Sequence, residues 1–160
     1  MNKEYAIVTD GSCDLPKELC QEKGITVVPF YVSFDGEKYE KEIVEMPIRQ
    51  FYEDMVNNPK VFPKSSMPSV QDYMDAFMPI VQEGKAIICI CITTKFSGSM
   101  QSALNARMMI LEQYPDAEIT VIDATINTVL QGIYVLEAQK MKEAGVPYLS
   151  LIHISEPTRH

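Results

Sequence analysis

Three short stretches hold the side chains best suited to chemistry. VTDGSCDLP (8–16) places Asp10 and Asp14 in one turn-rich loop. An aspartate at such a place could be the nucleophile of a small phosphatase or other hydrolase. That chemistry usually uses a DxD spacing, and here the two aspartates stand four positions apart. The plainer expectation is that Asp10 and Asp14 accept hydrogen bonds from backbone groups of the turn, with Asp14 capping the helix that follows. PKSSMPSVQDY (63–73) sets Ser65 beside Ser66 and puts Ser69 where a helix begins, and TTKFSGSMQSA (93–103) carries Thr94, Ser97 and Gly98. Hydroxyls beside a helix N-terminus suit an anion, phosphate or carboxylate, because unpaired N–H groups and the helix dipole favour negative charge there. Either loop alone is equally a cap and a turn. No GxGxxG or GxxxxGK[ST] occurs, so the common nucleotide cradles are absent.

The elements that must position these loops read as alternating strands and helices. YAIVTD (5–10) is a strand, and PKELCQEKG is a short helix stopped at Gly24. ITVVPFYVSF (25–34) reads as one strand made irregular by Pro29, with a hairpin turn at Asp35-Gly36 and EKYEKEIV as the return arm. MPIRQFYEDMVNN (46–58) has helical spacing of Ile48, Phe51, Tyr52 and Met55; a polar loop KVFPKSSMP follows. The next helix carries Tyr73, Phe77, Ile80 and Val81 on one face, with Ser69 as cap and Asp72 in its first turn. KAIICICI (85–92) predicts a strand buried on both faces. Then come a helix near SMQSALNARMMILEQYP, a strand in AEITVID (117–123) and a last helix ending at Gly145. The class is α/β, a parallel sheet of βαβ units, in which ligands sit beyond the carboxyl ends of the strands, here the loops after Asp10 and Ile92.

Composition narrows the functions. The 160 residues suffice for one cored domain. A net charge of -8 argues against a nucleic-acid partner, which Lys and Arg would have to neutralise. No apolar run is long enough for a transmembrane segment, and MNKEYAIVTD lacks the layout of a secretory leader, so the expected location is cytoplasmic. Cys13, Cys20, Cys89 and Cys91 form no CxxC pair and have no histidine at ligand spacing; they read as reduced and structural, with no metal and no cofactor expected. Cys89 and Cys91 would share one strand face.

Taken in order, the three loops resemble the DegV family of bacterial fatty-acid-binding proteins. A DSTADxP-like loop is matched by Asp10, Gly11, Ser12, Cys13, Asp14 and Pro16, with Gly11 in place of a serine. TSQPS is matched by Ser65, Ser66, Met67, Pro68 and Ser69, and SSxLSGTYxSA by the run from Thr94 to Ala103, which includes Ser97 and Gly98. The resemblance covers residues 4 to about 148. It implies a long-chain fatty acid held between two domains, its carboxylate bound at the positions of Ser65 and Ser97, with Asp10, Ser12, Asp14, Ser66, Thr94 and Gly98 as supporting loop residues. It also implies a carrier and not an enzyme: the exposed carboxyl group would be phosphorylated by a separate fatty-acid kinase.

Both histidines, His153 and His160, lie in the final LSLIHISEPTRH. From Leu149 to Arg159 that string matches, letter for letter, the translation of a transposase sequencing adapter. The expectation is therefore a domain over residues 1–148, an adapter-derived tail over 149–160, no histidine chemistry, and fatty acid held poorly or not at all by this chain, inactive alone for want of a second domain.

Overall fold

The run AIICIC is apolar at every position, and such a strand needs cover on both faces. In the computed structural model, which describes residues 2–155, it becomes β6 (Ala86–Cys91), every residue buried. β1 (Tyr5–Asp10) pairs on one side of it and β7 (Ile119–Asp123) on the other. β2 (Thr26–Val28) lies outside β1, giving a wholly parallel sheet in the order β2-β1-β6-β7. The two faces of β6 feed two cores. Ile87, Cys89 and Cys91 pack with Tyr73, Phe77 and Val81 of α3 (Val70–Gln82) and Ala103, Ala106 and Ile110 of α4 (Ser99–Gln113). Ile88 and Ile90 pack with Cys20 of α1 (Lys17–Lys23), Val135 and Ala138 of α5 (Thr128–Glu143), and Leu151. The result is a three-layer sandwich with helices on both faces of the sheet.

Two local features differ from the sequence expectation. The run 25–34 does not make one strand. Pro29 has no N–H to donate to a ladder, and the chain leaves the parallel sheet there. β3 (Tyr31–Ser33) belongs to a small antiparallel sheet, β4-β3-β5, with β4 (Glu40–Lys41) as the hairpin's return arm. The Asp35-Gly36 turn forms as expected, Gly36 at φ 79° and Asp35 Oδ1 accepting the N–H groups of Glu37 and Lys38 at 2.8 Å each. The third strand of this sheet, β5 (Lys64–Ser66), lies inside the segment that reads as a polar loop.

α2 (Ile48–Asn57) is amphipathic as its spacing predicts, yet none of its residues is buried. Phe51 meets Phe34 at 5.2 Å between ring centroids, while Ile48 and Tyr52 remain 51% and 60% exposed. Past Gly145 the chain turns into a further helix, α6 (Tyr148–Ser155), which the sequence reading did not anticipate. Tyr148 hydrogen-bonds Thr120, and Leu151 is fully buried. His153 is exposed on this helix; His160 lies outside the described residues.

Candidate functional site

The ends of β1 and β6 meet through one carboxylate. Asp10, fully buried, accepts on Oδ1 from Gln131 Nε2 at 2.9 Å and from the Ser12 N–H at 3.3 Å. On Oδ2 it accepts from the Ile92 N–H and from Ser99 Oγ, both at 2.9 Å. Burial pushes its carboxyl group up, and the hydrogen bonds from Gln131, Ile92, Ser99 and Ser12 act against that rise. With both oxygens engaged and none exposed, Asp10 is not placed to attack a substrate, so the hydrolase reading loses its nucleophile. Asp10 instead ties the ends of β1 and β6 to the first turns of α4 and α5. Asp14 is different again. It sits at φ 52°, and the cap position of α1 falls to Pro16 with no side-chain cap bond, so the expected Asp14 cap is absent. Its exposed carboxylate faces a cavity described below.

Ser65 lies on β5, opposite Val32 of β3, while Ser66 lies opposite Tyr31. Directly paired residues of antiparallel strands point to the same face. Val32 lines a cavity of about 690 Å³ between the β1–α1 loop and α2, walled also by Leu15, Ile43 and Phe51, with Asp14 and Glu42 at its polar side. Ser65 therefore shares the face of Val32, although neither Ser65 nor Ser97 lines the cavity itself. Ser66 shares the face of Tyr31, whose hydroxyl donates to Asp72 at 2.9 Å. The adjacent serines are thus distinguished by register.

The other hydroxyl loop is anchored from beneath. Thr94 Oγ1 donates to Asp123 Oδ2 at 2.7 Å, fixing the loop to the end of β7. Ser97, half-buried, accepts the Ser99 N–H at 3.1 Å. Gly98 is where the two loops touch: a Cβ built on it would stand 2.8 Å from Met67 Sδ. Met67 is two residues beyond Ser65, and Gly98 follows Ser97. The Ser65 and Ser97 loops are therefore packed against each other at the carboxyl end of the sheet.

The departure at Gly11 also has a structural reading. A side chain at Gly11 would run into Glu42 Oε1, which accepts the Phe30 N–H at 3.0 Å. Glu42 thus fills the space of the missing serine side chain, and burial pushes its carboxyl group up. Ser12 contributes its N–H to Asp10, and its Oγ accepts the Thr128 N–H at 3.4 Å. Ser69 caps α3 as expected, in a full capping box with Asp72. The four cysteines are free and buried. Cys89 and Cys91 lie side by side at 3.7 Å between sulfurs, and burial pushes the Cys13 thiol up to about 12, far from a reactive thiolate. Among the described residues, no group of three or more His, Cys, Asp or Glu side chains is clustered for a metal ion, and no helix is long and apolar enough to cross a membrane.

Sequence reasoning missed Ser99, Tyr73 and Gln131 as parts of this site. Gln131 is the one with a legible signal, because it occupies the buried i position of the stripe Gln131, Val135, Ala138 on α5. A polar residue at a core position needs a polar partner, and here the partners are Thr9 and Asp10.

Together the fold and site define a class: a doubly covered, parallel-sheet α/β domain that presents paired hydroxyl loops, beside an apolar cavity, at the carboxyl ends of its strands. A family model described as "Uncharacterised protein, DegV family" matches residues 4–158, and the chain belongs to that family. Among solved structures it is similar to a stearic-acid-binding protein from Eubacterium ventriosum, with a TM-score of 0.90 and 44% identity over 93% of this chain and 51% of that one. It is also similar to DegV, a fatty acid binding protein from Bacillus subtilis, with a TM-score of 0.81 and 26% identity over 95% of this chain and 52% of that one. A DegV domain-containing protein of Clostridium perfringens is 32% identical over 139 residues, 87% of this chain and 48% of its own. The chain spans about half the length of the relatives it matches.

Proposed function

We propose that this chain binds a long-chain fatty acid, with the hydroxyls of Ser65 and Ser97 holding the carboxylate and the apolar cavity receiving part of the acyl chain. The observation that carries the reading is the contact of Met67 with Gly98, which packs the two hydroxyl loops together, with Ser65 on the face of Val32, a residue of the cavity wall. The likeness to a stearic-acid-binding protein at 44% identity supports the ligand class. In this reading the protein is a carrier in the cytoplasm that presents the carboxyl group to a fatty-acid kinase for acyl-phosphate formation.

Magnitudes divide the labour. Removing an acyl chain from water gains about 0.8 kcal/mol per methylene, so a C16 chain gains roughly 12 kcal/mol gross, less the cost of association. A hydrogen bond to a charged carboxylate contributes about 1.5–3 kcal/mol. The apolar wall sets affinity and the hydroxyls set which end of the ligand faces out.

The working unit in this proposal is residues 1–148, with 149–160 foreign to it even though Leu151 of that stretch fills space in the core beside Ile88 and Ile90. Neither serine nor any residue lining the large cavity comes from that tail. The experiment is a stearate titration of the purified 160-residue chain followed by tryptophan-free methods such as calorimetry. Saturable binding at one site is expected, weak enough that no acid is retained through purification; the absence of saturable binding would sink the proposal.

A further inference from the structure

The two hydroxyls assigned to the ligand are held differently. Ser65 Oγ makes no hydrogen bond among the described residues, whereas Ser97 Oγ accepts the Ser99 N–H at 3.1 Å. An oxygen that accepts on its protein side leaves its own proton to point elsewhere. Ser99 is itself fixed in direction. It is fully buried, and its hydroxyl donates to Asp10 Oδ2 at 2.9 Å. A hydroxyl has one proton, so in the 2.6 Å contact between Tyr73 OH and Ser99 Oγ it is Tyr73 that donates. The Asp10 carboxylate thus sets the direction of each proton in the chain Tyr73 to Ser99 to Asp10. The same Oδ2 takes the Ile92 N–H at 2.9 Å, so one oxygen pins both ends of the segment that contains Ser97.

We propose that Ser99, clamped between Asp10 and Tyr73, is a positioning residue that turns Ser97 into a hydrogen-bond donor toward the ligand, so that the site takes a carboxylate in preference to an alcohol of equal chain length. This rests on the fatty-acid reading above and adds selection of the head group to it. A proton held outward gains most from a charged acceptor, because charge-assisted hydrogen bonds are the strong ones. If the clamp is lost, the Ser99 N–H is no longer held in place against Ser97 Oγ, the Ser97 hydroxyl rotates among partners and the advantage of the carboxylate shrinks, while the acyl chain keeps its contacts.

The test is competition of stearate and of stearyl alcohol against cis-parinaric acid on the 160-residue chain, its Ser99→Ala variant and its Tyr73→Phe variant. The wild-type chain should prefer stearate. Ser99→Ala should weaken stearate about tenfold and leave stearyl alcohol unchanged. Tyr73→Phe, which keeps the ring and the Ser99–Asp10 bond, should shift stearate in the same direction by less. A purely structural role would weaken both ligands alike; that result, or unchanged stearate binding in both variants, overturns the proposal. If Ser99→Ala does not fold, Tyr73→Phe decides. A wild-type chain that binds neither ligand overturns the fatty-acid reading and this proposal with it, whereas equal binding of both overturns head-group selection alone.

Discussion

Met67 lies against Gly98, its sulfur 2.8 Å from where a Cβ on residue 98 would stand, and through this contact the Ser65 and Ser97 loops form one surface. Gly98 has φ -81°, so its backbone would accept a side chain; only the approach of Met67 forbids one. Gly98→Ala should therefore displace the flexible Met67 side chain at a cost of less than about 1 kcal/mol in stability, because Met re-packs readily. Stearate affinity should fall several-fold. The pair of measurements is chemical denaturation and a stearate titration, and unaltered affinity would show that the loop contact does not shape the site.

Gly11 and Glu42 make a second coupled pair. Gly11→Ser installs the serine that the DSTADxP-like loop has at this position and drives its Cβ into Glu42 Oε1, with Phe30 N only 3.2 Å away. Overpacking of this kind costs roughly 1–3 kcal/mol. Glu42→Ala in the same chain should relieve the clash, giving a coupling energy of about 1 kcal/mol or more in a double-mutant cycle of urea denaturation. Additive effects would mean that Glu42 does not occupy the serine's space.

Acid should loosen the small sheet through Asp72. Burial pushes this carboxyl up, but the Ser69 hydroxyl and N–H, the Tyr31 hydroxyl and Lys41 outweigh it, and the net position is below the ordinary 3.8. A group lowered in the folded state gives stability that is present above pH 3.8 and is lost as pH falls through the folded value. Asp72→Asn should cost roughly 1–3 kcal/mol near neutrality, and its difference from the wild-type chain should close as pH is lowered below 3.8. Melting curves of both chains across that range check the sign. A gap that stays constant would remove Asp72 as its source.

The parallel sheet was legible because its strands carry their own proof. AIICIC has no polar face, YAIVTD and ITVID are short apolar runs, and the helices between them show stripes such as Tyr73, Phe77 and Val81. The small sheet was legible only in part: the β3–β4 hairpin reads from Asp35-Gly36, whereas its third strand does not, for a physical reason. β5 is three exposed residues, Lys64–Ser66, that form a strand only because β3 offers an edge. Nothing within those residues alternates. The run 25–34 is apolar in both its halves, so periodicity could not say that Pro29 divides it between two sheets. Ser65 and Ser97 were singled out through motif resemblance, and their role as carboxylate ligands is the proposal made above. That Asp10 is saturated by Gln131, Ile92, Ser99 and Ser12 depends on contacts up to 121 residues apart in sequence, which no local pattern encodes.

Orientation of the ligand should matter more to the next step than to retention. In the Ser65→Ala, Ser97→Ala double variant, acyl-phosphate formed by a fatty-acid kinase per stearate bound should fall at least about tenfold if these hydroxyls make the two charge-assisted bonds proposed for them. Stearate retention should fall less, as the apolar wall is intact. Normal phosphorylation per bound stearate would detach these serines from the presentation of the carboxyl group.

The most direct measurement of the central claim is the 13C resonance of stearate labelled at its carboxyl carbon and bound to the chain. If Ser65 and Ser97 donate to that carboxylate, Ser65→Ala and Ser97→Ala should each move the bound signal toward the free-carboxylate position, and the double variant should move it further. A bound signal that is identical in all four proteins would contradict the assignment.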